Sequence, residues 1–193
     1  MKDSTRGLLA AILSLSLLTV MAGAAVAPAL DAIRAHFAEE PVALIRLIIS
    51  MPALFIALSS PLFPALAKRF TAKVLALGVL VCYVVAGVAA GIADNIWVLL
   101  AFRALLGFSV GIIMPLSTGL LSFYFPPEKM DRLMGYSSAM NQMGGVVGTL
   151  LAGLLATVSW RTSFLVYLMG VICIVLCAVK LPNDRLGDRK SVV

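Results

Sequence analysis

Six uninterrupted apolar runs divide this chain, at 7–29, 43–65, 74–93, 96–121, 133–157 and 163–180. Each approaches or exceeds the ~20 residues that an α-helix needs to cross the hydrocarbon of a bilayer. The polar stretches between them, DAIRAHFAEEP, AKRFTAK, ADN, YFPPEKMDR and VSWRTS, are too short to hold an extramembrane domain. In lipid the backbone must satisfy its own hydrogen bonds, so only helices or a closed barrel can cross. A barrel would show short alternating strands, whereas these runs are continuous and rich in Leu, Ala and Gly. The expected fold is therefore all-α, with six transmembrane helices over residues 1–180. Residues 181–193 follow as a cytoplasmic tail or the start of a central linker.

Composition agrees where it bears on class: 62% of residues are hydrophobic and 12% charged, outside the range of an ordinary soluble domain. The first run is too long for a signal-peptide core and is expected to be retained as a span. The net charge of +6 comes from short basic patches beside the spans, which reads as orientation information rather than a nucleic-acid surface. Lys2, Arg6, Lys68, Arg69, Lys73, Lys129, Arg132, Lys180, Arg185, Arg189 and Lys190 fall on one side. Arg34 and Arg161 fall on the other, with Arg46 just inside the second span. The positive-inside rule puts both termini in the cytoplasm, and a bacterial inner membrane is the expected location.

Arg103 is a permanent cation inside the fourth run. It lies about 9 Å beyond Trp97 at the outer boundary, so it either snorkels outward or turns into the bundle and finds acceptors. Asp31, at the outer end of the first span, is the acidic residue topologically nearest to it. Asn141 and Gln142 lie in the fifth span, with Ser137, Ser138 and Thr149 nearby. Buried amides want partners, so this pair either fastens helices or lines a solute route. Tyr136, Met140 and Met143 are candidate cavity contacts. Tyr83 and Tyr167 also carry hydroxyls that can serve a cavity or anchor an interface. Pro52, Pro61 and Pro64 are expected to bend or end the second span.

Gly107 and Gly111, and Gly144 and Gly148, are each spaced four apart, which puts smooth faces on two helices and lets neighbouring backbones approach. Gly153 extends the second set. Cys82, Cys173 and Cys177 lie in apolar runs without histidine or acidic companions, and His36 stands alone in an outer loop. Neither a metal site nor an organic cofactor is expected, and nothing supplies a nucleophile, phosphate loop or zinc cluster for an enzyme.

The basic break and the glycine spacing resemble the amino-terminal six-helix half of the major facilitator superfamily. PALAKRFTAK at 64–73 stands where the family carries a pattern close to GxLaDRxGRR. Arg69 and Lys73 keep basic positions, but Lys68 replaces the acidic residue that helps latch cytoplasmic helix ends in the family, so any latch here must differ. Leu99, Arg103, Gly107 and Gly111 resemble the fourth-helix pattern of the drug/proton antiporter branch. Gly144, Gly148 and Gly153 partly match its fifth-helix pattern, with Thr149 and Ala152 as departures, and WRTSF at 160–164 resembles the usual entry to the sixth helix.

The resemblance implies two inverted three-helix repeats, weakly echoed by VAPAL at 26–30 and IMPLS at 113–117. It also implies a complete form with twelve helices around a central cavity. On that reading Arg103, Asp31, Asn141 and Gln142 serve transport or proton coupling, with the proton as coupling ion. The expected activity is proton-coupled export of a small or amphipathic solute by alternating access. The expected partners are the lipid bilayer, the solute, and either a missing carboxy-terminal half or a second copy in a homodimer. A facilitator without proton coupling and a non-transporting membrane scaffold are the competing expectations.

Overall fold

The computed structural model describes residues 2–24 and 26–186. Eight α-helices and four short 3-10 segments account for the described chain: α1 Lys2–Ala24, α2 Leu30–His36, α3 Val42–Ser59, α4 Phe63–Arg69, α5 Ala72–Ala90, α6 Ile96–Tyr124, α7 Met130–Ala156 and α8 Met169–Lys180. They build six spans long and apolar enough to cross a membrane: Thr5–His36, Val42–Arg69, Ala72–Ala90, Ile96–Tyr124, Pro127–Ala156 and Thr162–Lys180.

The first two spans are longer than their apolar runs suggest, and each is jointed. DAIRAHF, expected as loop, is largely helical in α2, entered through the 3-10 turn Ala27–Ala29. Ile33 and Phe37 bury the apolar side of this segment, so packing carries the helix past its polar letters. Pro52 stays inside α3, while Pro61 sits in the 3-10 turn Ser60–Leu62 and Pro64 in the first turn of α4. There the ring needs no helical donor and its fixed φ suits the turn. The sixth span enters as a 3-10 segment, Thr162–Leu168, before α8.

Helix α6 runs through the middle. Its buried residues lie all around it, from Leu99 and Arg103 to Leu120 and Leu121, because α1, α3 and α5 all pack against it. The two most extensive helix pairs are α1 with α7 and α3 with α6. Exchanging the first three spans for the last three converts one pair into the other, which is the inverted repeat written as packing. Helices α3 and α7 turn long apolar faces outward, Leu47, Leu54 and Leu58 on one and Val146, Leu150 and Leu154 on the other. Such faces suit lipid or another helical layer, not water.

The chain does not leave the bundle at residue 181. Asp184 accepts from the Ala72 amide at the start of α5 through its carbonyl, at 2.8 Å, and from the Tyr124 hydroxyl through its carboxylate, at 3.2 Å. Thr71 Oγ1 donates to Asn183 Oδ1 at 2.5 Å, and Leu181 is buried. Residues 181–186 thus tie the turn between α4 and α5 to the end of α6. The cations expected at Arg189 and Lys190 lie outside the described residues, as does the side chain of Lys2.

Candidate functional site

Arg103 is fully buried, at 0% exposure, so it turns into the bundle rather than toward the headgroups. Its Nε donates to the Ile48 carbonyl at 3.0 Å, Nη1 to the Tyr167 hydroxyl at 2.8 Å, and Nη1 and Nη2 both reach the Ala22 carbonyl at 3.3 Å. Tyr167 in turn donates to the same Ala22 oxygen at 2.8 Å. Among the described residues no carboxylate reaches the guanidinium. Asp31, the acceptor suggested by sequence, is exposed on α2 and is not one of its partners. Asp94 is paired instead with Arg161 at 2.6 Å at the exposed end of the bundle.

Two features of the backbone explain why uncharged acceptors suffice. Ala22 lies in the last turn of α1, where carbonyls lose their helical donors and carry the negative end of the helix dipole. Ile48 stands four residues before Pro52, whose nitrogen has no hydrogen to give to the Ile48 oxygen. Arg103 supplies the missing donor.

Gly107, one turn along α6 from Arg103, makes this reach possible. A Cβ there would sit 2.6 Å from Pro52 Cα, so only glycine lets α6 lie against the proline's backbone. The same arrangement recurs one turn deeper with the roles exchanged. Pro115 in α6 frees the carbonyl of Gly111, and Ser60, at the end of α3, places its hydroxyl 3.1 Å from that oxygen. A Cβ on Gly111 would lie 2.7 Å from the Ile56 carbonyl.

Tyr167 owes its position to a further glycine. A Cβ on Gly87 would lie 2.6 Å from Tyr167 Cβ, so α5 leaves a notch that the tyrosine fills. Tyr83 packs edge-on against Tyr167, with ring centroids 5.6 Å apart, and donates to the Leu18 carbonyl at 3.2 Å.

A second polar cluster opens between α1, α6 and α7. Ser16, Thr19, Met114, Pro115, Ser117, Thr118, Ser137 and Asn141 line a cavity of ≈ 250 Å³. Ser16 Oγ lies 2.7 Å from both Ser117 Oγ and Ser137 Oγ, and Thr19 Oγ1 donates to Asn141 Oδ1 at 2.6 Å. No ionisable side chain is among these lining residues.

The glycines of α7 set that helix against α1. A Cβ on Gly144 would collide with the Leu17 carbonyl, and one on Gly148 would lie 2.6 Å from Met21 Cγ. Gly153 does not belong to this surface. A Cβ there meets only the Pro28 ring, at 3.8 Å, an ordinary contact. The buried position one turn after Gly148 is Ala152.

The remaining candidates stand apart from both clusters. Gln142 and Met143 are exposed, Met143 at 55%, and Met140 does not line the cavity, where the methionine is Met114. Tyr136 is exposed and accepts from Arg132 Nε at 2.7 Å. Lys68 and Arg69 form the basic last turn of α4, and Lys73 sits in the first turn of α5. Arg69 and Lys68 there complement the helix's negative end. Sequence reasoning missed Ser16, Thr19, Ser117 and Thr118. Their signal was available as hydroxyls in otherwise apolar runs, SLSLLT and IMPLST.

Comparison with known proteins bears on the family and the fold. The model of the Major Facilitator Superfamily matches residues 12–192. Multidrug resistance protein B homolog of Mycobacterium tuberculosis is 32% identical over 121 residues, 62% of this chain and 22% of that protein. Multidrug export protein EmrB of Haemophilus influenzae is 31% identical over 138 residues, 71% of this chain and 26% of that protein. This chain thus matches about a quarter of the length of these relatives. Among solved structures, a bacterial homolog of the human lysosomal transporter Spinster, inward-facing and unoccupied, superposes with a TM-score of 0.80 at 17% identity, covering 98% of this chain and 45% of that one. The fold is therefore half of that architecture, with its two three-helix repeats. With the family model matching nearly from end to end, the chain is a multi-pass membrane protein belonging to the major facilitator superfamily.

Proposed function

We propose that the chain forms one half of a secondary transporter that exports a small or amphipathic solute in exchange for protons. The observation that carries this reading is the hydroxyl- and amide-lined cavity between α1, α6 and α7, set in a bundle whose other buried surface is overwhelmingly apolar. The multidrug names of the relatives favour efflux. The outward apolar faces of α3 and α7 suit a second six-helix half, either a carboxy-terminal continuation or a second copy. Solute and proton would each favour one arrangement of the two halves, and the difference in their binding energies would drive the exchange of access. Both termini would face the cytoplasm of a bacterial inner membrane, following the basic side of the bundle.

Within this reading Arg103 acts by position. It is sealed from the cavity and holds α6 to α1, α3 and the sixth span, so it couples the helices that line the solute route to the rest of the half. No carboxylate is among the residues that line the cavity, so on this reading the proton carrier would come from a carboxy-terminal half. The test is flux in proteoliposomes containing the two-half assembly under an imposed proton gradient. Gradient-dependent solute movement that falls at least tenfold in Arg103→Ala is the expected result. Unchanged proton-driven flux would remove Arg103 from the mechanism, and no flux in any assembly would favour a scaffold.

A further inference from the structure

The hydrogen-bonding capacity of the α1–α6–α7 cavity can be read group by group, because each hydroxyl has a single hydrogen to donate. Ser117 donates to the Ile12 carbonyl, at 3.4 Å. Ser16 stands 2.7 Å from both the Ser117 and the Ser137 hydroxyl, and in each contact either group can be the donor. Thr19 shares its hydrogen between Asn141 Oδ1 at 2.6 Å and the Ser16 carbonyl at 2.7 Å, and Thr118 directs its own to the Met114 and Pro115 carbonyls of its own helix. The Thr19 and Thr118 hydrogens are thus committed to the protein, and the three serines are engaged chiefly with one another.

What the cavity has left to offer includes lone pairs on Ser137 and Thr118, and the two N–H groups of Asn141 Nδ2. With Oδ1 held by Thr19, the amide is oriented, and no acceptor for its N–H groups is found among the described residues. Met114 and Pro115 add apolar wall. A charged solute would leave water here with no counter-charge in this half, at a substantial desolvation cost. Arg103 cannot help, since its donors end on Ile48, Ala22 and Tyr167 behind the cavity wall.

We propose that this cavity takes an uncharged solute of carboxamide type, with a carbonyl oxygen accepting from the Asn141 N–H groups and adjacent N–H or O–H donors meeting Ser137 and Thr118. The inference rests on the transporter reading and names the solute chemistry that this half selects. It also identifies Asn141 and Thr118 as specificity-determining residues. Asn141 contributes the only N–H donors among the lining side chains, and Thr118 is a conservative site at which a lone pair can be removed without changing shape.

Three probes of nearly equal shape isolate charge: nicotinamide, nicotinate and 1-methylnicotinamide. Equilibrium binding of each to the full chain in lipid nanodiscs should show nicotinamide binding saturably and at least tenfold more tightly than either ion. Asn141→Ala should weaken nicotinamide about tenfold and Thr118→Val about threefold, while Gln142→Ala, which lies off the cavity, leaves binding unchanged. Helical content and thermal unfolding are measured on each variant, so that a loss in Thr118→Val counts even if Asn141→Ala folds poorly. Either ion binding as tightly as nicotinamide, nicotinamide binding indifferent to both cavity variants, or no saturable nicotinamide binding would overturn the inference. Failure here with gradient-driven solute flux intact in proteoliposomes removes the solute chemistry alone, whereas absence of flux removes the transporter reading.

Discussion

The Arg103 cluster and the Asn141 cavity draw on the same two helices, α1 and α6, yet they treat polarity in opposite ways. Around Arg103 the charge is enclosed and its acceptors are backbone oxygens that helix geometry had left without donors. Around Asn141 there is no charge, and the side chains leave lone pairs and an amide facing open space. The first cluster uses its hydrogen bonds to fix helices in register. The second holds some in reserve. A polar residue at membrane depth therefore does not by itself mark a route; whether its hydrogen-bonding capacity is exhausted within the protein decides that.

Arg103→Met is the variant that would most damage this contrast. It keeps length and apolar bulk but leaves the Ile48 carbonyl and the Tyr167 hydroxyl without their donor. Each buried group left unpaired costs about 1–3 kcal/mol, so a loss of about 3 kcal/mol is expected, read as unfolding of the purified chain in a lipid mimetic. Arg103→Lys should recover only part of it, because an ammonium cannot span three acceptors as a planar fork does. A stability loss in Arg103→Met no larger than that of Asn141→Ala would erase the distinction between the two clusters.

Gly107→Ala follows in size. Its methyl must enter the backbone of α3 beside Pro52, and overpacking of this kind costs about 1–3 kcal/mol. Gly153→Ala is the matched contrast on α7, where the new methyl has room and alanine's better helix propensity makes the change neutral or slightly stabilising. Comparable losses at both glycines, in the same unfolding assay, would show that helix composition and not backbone approach is being measured.

These residues also show what could be read in advance. The spans, their number and the burial of Gly107, Gly111, Gly144 and Gly148 follow from run length and four-residue spacing. Gly153 was misplaced because it follows Gly148 by five residues, which rotates it well away from the face that Ala152 occupies. Asn141 and Gln142 are adjacent, so their side chains point about 100° apart, and which of them meets a cavity depends on neighbouring helices that no local pattern names. Asp31 is the acidic residue that sequence places topologically nearest Arg103, yet the carbonyl acceptors that hold the guanidinium carry no residue-type signal. The one local clue was Pro52, whose freed carbonyl at Ile48 is predictable from sequence even though the helix that answers it is not.

That clue supplies a subtler test of why Arg103 stays where it is. Pro52→Ala returns an N–H to α3 and gives the Ile48 oxygen a helical donor, so Arg103 loses its exclusive claim on that acceptor. In a double-mutant cycle, Arg103→Met should cost about 1 kcal/mol less in the Pro52→Ala background than in the native chain. Strict additivity would mean that the Ile48 contact is incidental to the placement of the guanidinium.

The smallest effect on stability belongs to the cavity itself, and there its smallness is the informative result. Asn141 is part-buried and, among the described residues, its side chain's one hydrogen bond is with Thr19, so Asn141→Ala should destabilise the chain by about 1 kcal/mol or less. If the cavity existed to fasten α1 to α7, removing that link would loosen the pair. The close approach at Gly144 and Gly148 already joins these helices along their backbones, which leaves the amide little structural work. Melting of Asn141→Ala within a few degrees of the native chain would therefore place the residue's purpose outside folding. A loss approaching that of Arg103→Met would make Asn141 a fastener like the arginine, and the two clusters would differ only in depth.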